Sequence, residues 1–148
     1  MADADARLAW VLASFHTAAL VVAGVAVLYA VGALGSLLQG VHTATGAALY
    51  LSLWGLTWRT NARWLATTSF GAGREALTAA ATWGAVTGVG FLFAILVVIG
   101  VVVRELVLVA VFAFVGAPVA ALVGAVVGVA FALLDALLVG VGTRLGTA

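Results

Sequence analysis

The sequence predicts an all-α, polytopic integral membrane protein, a single transmembrane domain of four helices built as two helical hairpins. Asp, Glu, Lys and Arg make up 7% of the 148 residues, against roughly 25% in an ordinary soluble domain. Hydrophobic residues reach 66%, and the mean hydropathy is +1.33. A water-soluble chain of this length has too few charges here to cover its surface. The third observation is the length of the uncharged runs, which far exceeds what one buried core helix needs.

From Leu8 to Trp58 there is no Asp, Glu, Lys or Arg. As one helix this run would extend about 76 Å, while the hydrocarbon core is about 30 Å thick, so the chain must fold back once. The turn falls in "VGALGSLLQG", Val31 to Gly40, where three glycines accompany Ser36 and Gln39. Helix 1 is therefore placed near Leu8–Val31 and helix 2 near Leu37–Trp58. A secretory leader has an apolar core of about 7–15 residues, shorter than helix 1, which favours a retained helix.

The polar stretch "RTNARWLATTSFGAGRE", residues 59–75, reads as a loop between hairpins. Helix 3 follows as Ala76–Val103, and the pair Arg104–Glu105 forms the next turn. Helix 4 begins at Leu106 and ends near Leu134 or extends to Thr143, which would be about 57 Å of helix. Pro118 predicts a kink, because it removes a backbone donor and crowds the carbonyl of Phe114. Two courses follow. Helix 4 either ends near Asp135 ahead of a surface-lying tail, or starts its crossing at Pro118 after a short re-entrant piece; the first is preferred.

Arg59, Arg63 and Arg74 mark the 59–75 loop as cytoplasmic by the positive-inside rule. Four spans then bring Arg7 and Arg144 to the same side and leave Arg104 outside, beside Glu105. Trp10, Trp54, Trp58, Trp64 and Trp83 gather near the same end, where indole rings favour the interface. The expectation is a plasma-membrane protein with both termini in the cytoplasm.

Small residues recur every fourth position along helix 4: Gly116, Ala120, Gly124, Gly128, Ala132, Ala136 and Gly140. Gly84 and Gly88 repeat the spacing on helix 3. Helices in lipid gain little by hiding apolar side chains, so close backbone approach over small residues holds them together. A period of four drifts about 40° per step on a straight helix. The row is therefore expected to split, Gly116–Gly124 toward one helix and Gly128–Gly140 toward another. Packing within the chain is favoured over a subunit interface.

Candidate chemistry is sparse. His16 and His42 invite a bis-imidazole haem, but antiparallel helices place them at different depths, so no cofactor is expected. Without cysteine, and with the thirteen charged or histidine residues dispersed, no metal cluster or catalytic set is legible. Asp135 falls beside the small-residue row and invites a proton- or cation-coupled role, although span length favours an interfacial charge. Arg104 and Glu105 read as a boundary turn, with a buried functional pair as the minority alternative. Arg59 and Arg63, four residues apart and flanked by Trp58 and Trp64, suit anionic headgroups or a partner's acidic surface. With net charge +1 and no basic cluster, nucleic acid is not an expected partner.

The leading functional expectation is a small non-catalytic scaffold or accessory subunit, homo-oligomeric or part of a larger membrane complex. The alternative is a small oligomeric transporter or channel that uses Asp135 and Arg104/Glu105, with His16 and His42 as further members of a polar pathway.

Overall fold

The computed structural model describes residues 2–40, 42–67, 73–104 and 106–146, and the side chains among them except 2–5, 37, 67, 102, 103, 145 and 146. All regular structure in the described residues is helical. The elements are α1 (Ala2–Ala30), α2 (Leu34–Gly40), α3 (Thr43–Thr67), α4 (Arg74–Val103) and α5 (Leu106–Gly146). Three helical segments are long and apolar enough to cross a membrane: Ala6–Ala30, Arg74–Val101 and Leu106–Arg144. α3 has the length but not the hydropathy, because Thr, Ser, Gly, Tyr and Trp recur along it and Arg59, Asn61 and Arg63 occupy its last turns.

α1 ends where Gly32 adopts φ +73°. The Gly32 N–H bonds to the Tyr29 carbonyl at 3.0 Å and the Ala33 N–H to Leu28 at 2.9 Å. That pairing satisfies the last carbonyls of the helix, and glycine takes the left-handed geometry without a Cβ penalty. The stretch expected as one turn, Val31–Gly40, is thus a sharp stop followed by the separate short helix α2. α3 starts later than Leu37, at Thr43, where the His42 ring nitrogen Nδ1 accepts the Ala44 N–H at 3.3 Å.

α3 also runs further than expected, to Thr67. Residues 59–67 form helix, not loop: no glycine or proline interrupts them, and Trp64 is buried as an anchor. The remainder of the expected loop, 68–72, lies outside the described residues. α4 matches its expected span closely. It ends at Arg104 (φ 57°, ψ 23°), whose N–H caps the helix on Gly100 O. A left-handed non-glycine residue is unusual, and here it turns the chain directly into α5.

α5 is continuous for 41 residues, about 61 Å, with Pro118 inside it. The chain neither restarts at Pro118 nor stops at Asp135. Of the expected courses, the helix that starts at Leu106 and extends to Thr143 agrees with this unbroken helix; the stop near Asp135 and the restart at Pro118 do not.

In space α3 lies between α1 and α4, and α5 packs mainly on α4. The α4–α5 contact is backbone on backbone. A Cβ built on Gly84 would lie 2.9 Å from Gly128 Cα and would collide with the Gly124 carbonyl. One on Gly88 would lie 3.2 Å from Gly124 Cα and meet the Ala120 carbonyl, and one on Gly128 would lie 3.0 Å from Gly84 Cα. No L side chain larger than glycine fits these places without separating the helices.

The row does not divide as expected. Gly116 faces Leu92, Ala120 faces Gly88, Gly124 and Gly128 face Gly84, and Ala132 is buried with Ala80 and Trp64, while a Cβ on Gly140 meets nothing within 4 Å. From Gly116 to Gly128 the row therefore faces α4, and Ala132 meets both α4 and Trp64 of α3. A four-residue period can stay on one neighbour when the two helices wind around each other in the right-handed sense, which absorbs the drift of a straight helix.

Substitution to leucine should separate the two kinds of glycine. Gly84→Leu or Gly124→Leu is expected to destabilise the helical fold by about 3 kcal/mol or more, the upper range for overpacking. Gly140→Leu should stay within about 0.5 kcal/mol. Denaturant titration of the detergent-solubilised protein, followed by circular dichroism, measures both.

Candidate functional site

Each long helix turns a narrow inward stripe, and three of the stripes carry a polar residue near one end. On α1 the buried positions are Ala9, Ala13, His16 and Thr17, spaced at the helical period. On α3 they are Leu53, Thr57, Thr60 and Trp64, and on α5 Ala132 and Asp135. Alanine at 9 and 13 lets α1 approach closely enough for His16 to reach across. Ala132 sits opposite Ala80 and Trp64, so Asp135, one turn further, lies about level with the start of α4.

His16 and Asp135, 5% and 4% exposed, meet in the interior. The His16 Nε2 lies 3.3 Å from Asp135 Oδ1 and 3.2 Å from Oδ2. The hydrogen bond goes to Oδ1, and Oδ2, although near, takes no hydrogen bond. On the other side of the ring, Asn61 Nδ2 lies 3.3 Å from His16 Nδ1. An amide nitrogen only donates, so with this amide orientation Nδ1 accepts and carries no proton. In that arrangement the Nε2 proton is directed at Asp135. The Phe131 ring stacks on His16 at 4.2 Å and holds its plane.

The pair stands at one end of a half-open cavity of about 530 Å³ bounded by α1, α3, α4 and α5. Halfway along, the Thr60 and Thr87 hydroxyls lie 2.8 Å apart. Of their two protons one joins the hydroxyls and the other goes to a backbone carbonyl, Leu56 or Trp83, at 2.9 Å. Thr57 donates to Leu53 O at 2.7 Å. Gly84 and Gly88 form part of the wall, and Phe91, Leu92 and Ile95 line the far end. Trp64 Nε1 donates to Ala76 O at 3.3 Å, which ties α3 to the start of α4 beside the site.

The residues singled out from the sequence fare differently. Asp135 does not end its helix, since α5 continues to Gly146; its side chain is buried and faces His16. His42 is exposed at the start of α3, away from His16. Arg104 is exposed in the α4–α5 turn, about 44 Å along α5 from Asp135, and Glu105 lies outside the described residues. Arg59 and Arg63 are exposed on α3, and Trp58 is exposed and stacked on Trp54 at 5.8 Å. Trp64, expected beside them, is instead core. Sequence reading passed over Asn61, Thr57, Thr60 and Thr87. Once 59–67 is helix, the spacing Thr57–Thr60–Asn61–Trp64 marks one face, and that was the available signal.

Fold and site together define an all-helical protein with three membrane-capable helices and an imidazole–carboxylate pair on a half-open cavity. The chain belongs to a family of unknown function, DUF7965, whose model matches residues 5–148. No curated protein and no solved structure shows significant similarity to it.

A double-mutant cycle tests the pair. His16→Ala and Asp135→Asn should show a coupling energy of about 1 kcal/mol in unfolding measurements, within the range found for polar contacts between membrane helices. Additive effects would mean that the contact contributes nothing to stability.

Proposed function

We propose that the protein is a multi-pass plasma-membrane protein that moves a cation, with Asp135 as the binding carboxylate and His16 as the residue that positions it. In this reading α1, α3, α4 and α5 are four spans, and both termini are cytoplasmic. α3 qualifies as a span through its place between α1 and α4, which buries Thr57 and Thr60, with Arg59 and Arg63 exposed toward its end. The arginines at 7, 59, 63, 74 and 144 set the orientation.

One observation carries the reading: a carboxylate enclosed by protein on the wall of a cavity, with one oxygen lacking a hydrogen bond. An ionisable group inside a helical membrane protein is costly and is kept where it serves a solute or proton path. Asp135 Oδ2, which takes no hydrogen bond, makes a cation the natural complement of this end of the cavity. Thr60, Thr87 and Thr57 extend acceptor oxygens from that carboxylate along the cavity. Arg104 plays no part in the site, being exposed at the far turn. No step requires bond making or breaking, which keeps the reading non-catalytic.

A scaffold or accessory role is the second reading. It is favoured by the open Gly140 and by the exposed Arg59 and Trp58, which suit another subunit or headgroups. The inner part of the small-residue row gives it no support, because α4 occupies that part.

Proton flux into dye-loaded proteoliposomes, driven by a potassium diffusion potential, tests the transport reading. Wild-type protein is expected to conduct, Asp135→Asn to lose at least tenfold of the rate, and Gly140→Leu to retain it. A silent wild type, or an Asp135→Asn variant that conducts equally well, would sink the transport reading. Loss of assembly in Gly140→Leu without any flux would support the scaffold instead.

A further inference from the structure

We infer that the cavity is a binding site for an elongated amphiphilic amine, with its protonated nitrogen at the Asp135–Asn61 end and its apolar chain laid along α4 toward Ile95. The inference rests on the reading of Asp135 as a cation site and names the class of cation.

Shape supplies the first constraint. The α4 residues that line the cavity run from Ala80 to Ile95, about 22 Å of helix. A volume of about 530 Å³ over that length is a slot, not a sphere. Compact ions leave most of such a space unfilled, whereas a single extended chain follows it.

Polarity supplies the second. The charged group stands at one end, and the opposite end offers only Phe91, Leu92 and Ile95. A pocket of this kind takes a ligand with one polar head and one apolar tail.

The free hydrogen-bonding capacity supplies the third. The His16 Nε2–H is directed to Asp135 Oδ1, and its Nδ1 accepts from Asn61. The hydroxyl protons of Thr57, Thr60 and Thr87 are all engaged. At the head end Asp135 Oδ2 takes no hydrogen bond, although it lies 3.2 Å from His16 Nε2, and Asn61 keeps its amide oxygen and a second N–H. A head that donates meets the carboxylate and the amide oxygen together. An ammonium donates and also neutralises the carboxylate; an alcohol donates without neutralising it. A carboxylate head would place two negative charges together in apolar surroundings and is rejected.

Trp64 and Trp83 line the cavity and serve as reporters. The experiment uses full-length protein in lipid nanodiscs, titrated with dodecylamine, dodecanol and dodecanoate, each bearing bromine on the chain to quench tryptophan. The expected result is a saturable quenching component for the amine, at least tenfold weaker for the alcohol and absent for the carboxylate. Unbrominated dodecylamine should reverse it, and Asp135→Asn should weaken amine binding at least tenfold at unchanged helix content. Equal quenching by all three heads would show a greasy slot open to any lipid chain and overturn the inference, as would undiminished amine binding in Asp135→Asn. The comparison of heads uses wild-type protein and stands even where the variant does not fold. Amine binding without proton flux would keep this site and remove the transport reading; flux with no head-group preference would do the reverse.

Discussion

The contact between the backbones of α4 and α5 fixes the geometry of everything else. Glycines at 84, 88, 124 and 128 allow main-chain atoms of one helix to enter the spaces between turns of the other. For helices surrounded by lipid no hydrophobic drive pushes such surfaces together, and dispersion over a close, rigid contact takes its place. That contact has a single register. With Gly128 against Ala80 and Gly84, Ala132 must fall beside Ala80 and Trp64, and Asp135 must project inward near the first turn of α4. The same closeness leaves α4 and α5 as a solid wall, against which the slot is bounded by α1 and α3.

Against that wall the His16–Asp135 contact has a different character. Its distances, 3.2 and 3.3 Å, exceed the 2.7–2.9 Å usual for strong charge-assisted hydrogen bonds. α1 and α5 meet through side chains: His16 touches Asp135 and Phe131, and little backbone approaches. One face of the cavity is therefore held by a polar side-chain contact and the opposite face by a backbone contact.

Much of the helical layout was readable from residue order. Uncharged runs marked α1, α4 and α5, and the four-residue spacing of small residues marked the surface on which α5 packs. The errors came where local polarity competed with helix formation. "RTNARWL" reads as a loop because two arginines and an asparagine are adjacent, yet helical continuation buries Trp64 and Thr60 and sends Arg59 and Arg63 outward. Asp135 reads as a span end for the same reason: a lone acid in an apolar run is cheapest at a boundary unless a partner 119 residues away covers it.

What the sequence determined by itself was the class, because composition and run length depend on no partner: helical throughout, and apolar enough in three helices to cross a membrane. Only the tertiary structure decided the site. His16, Asn61 and Asp135 lie on three different helices, and no periodicity within any one of them points at the other two. Their meeting follows from how α1, α3 and α5 are placed around α4, a consequence of packing between distant segments that the order of residues along the chain does not display.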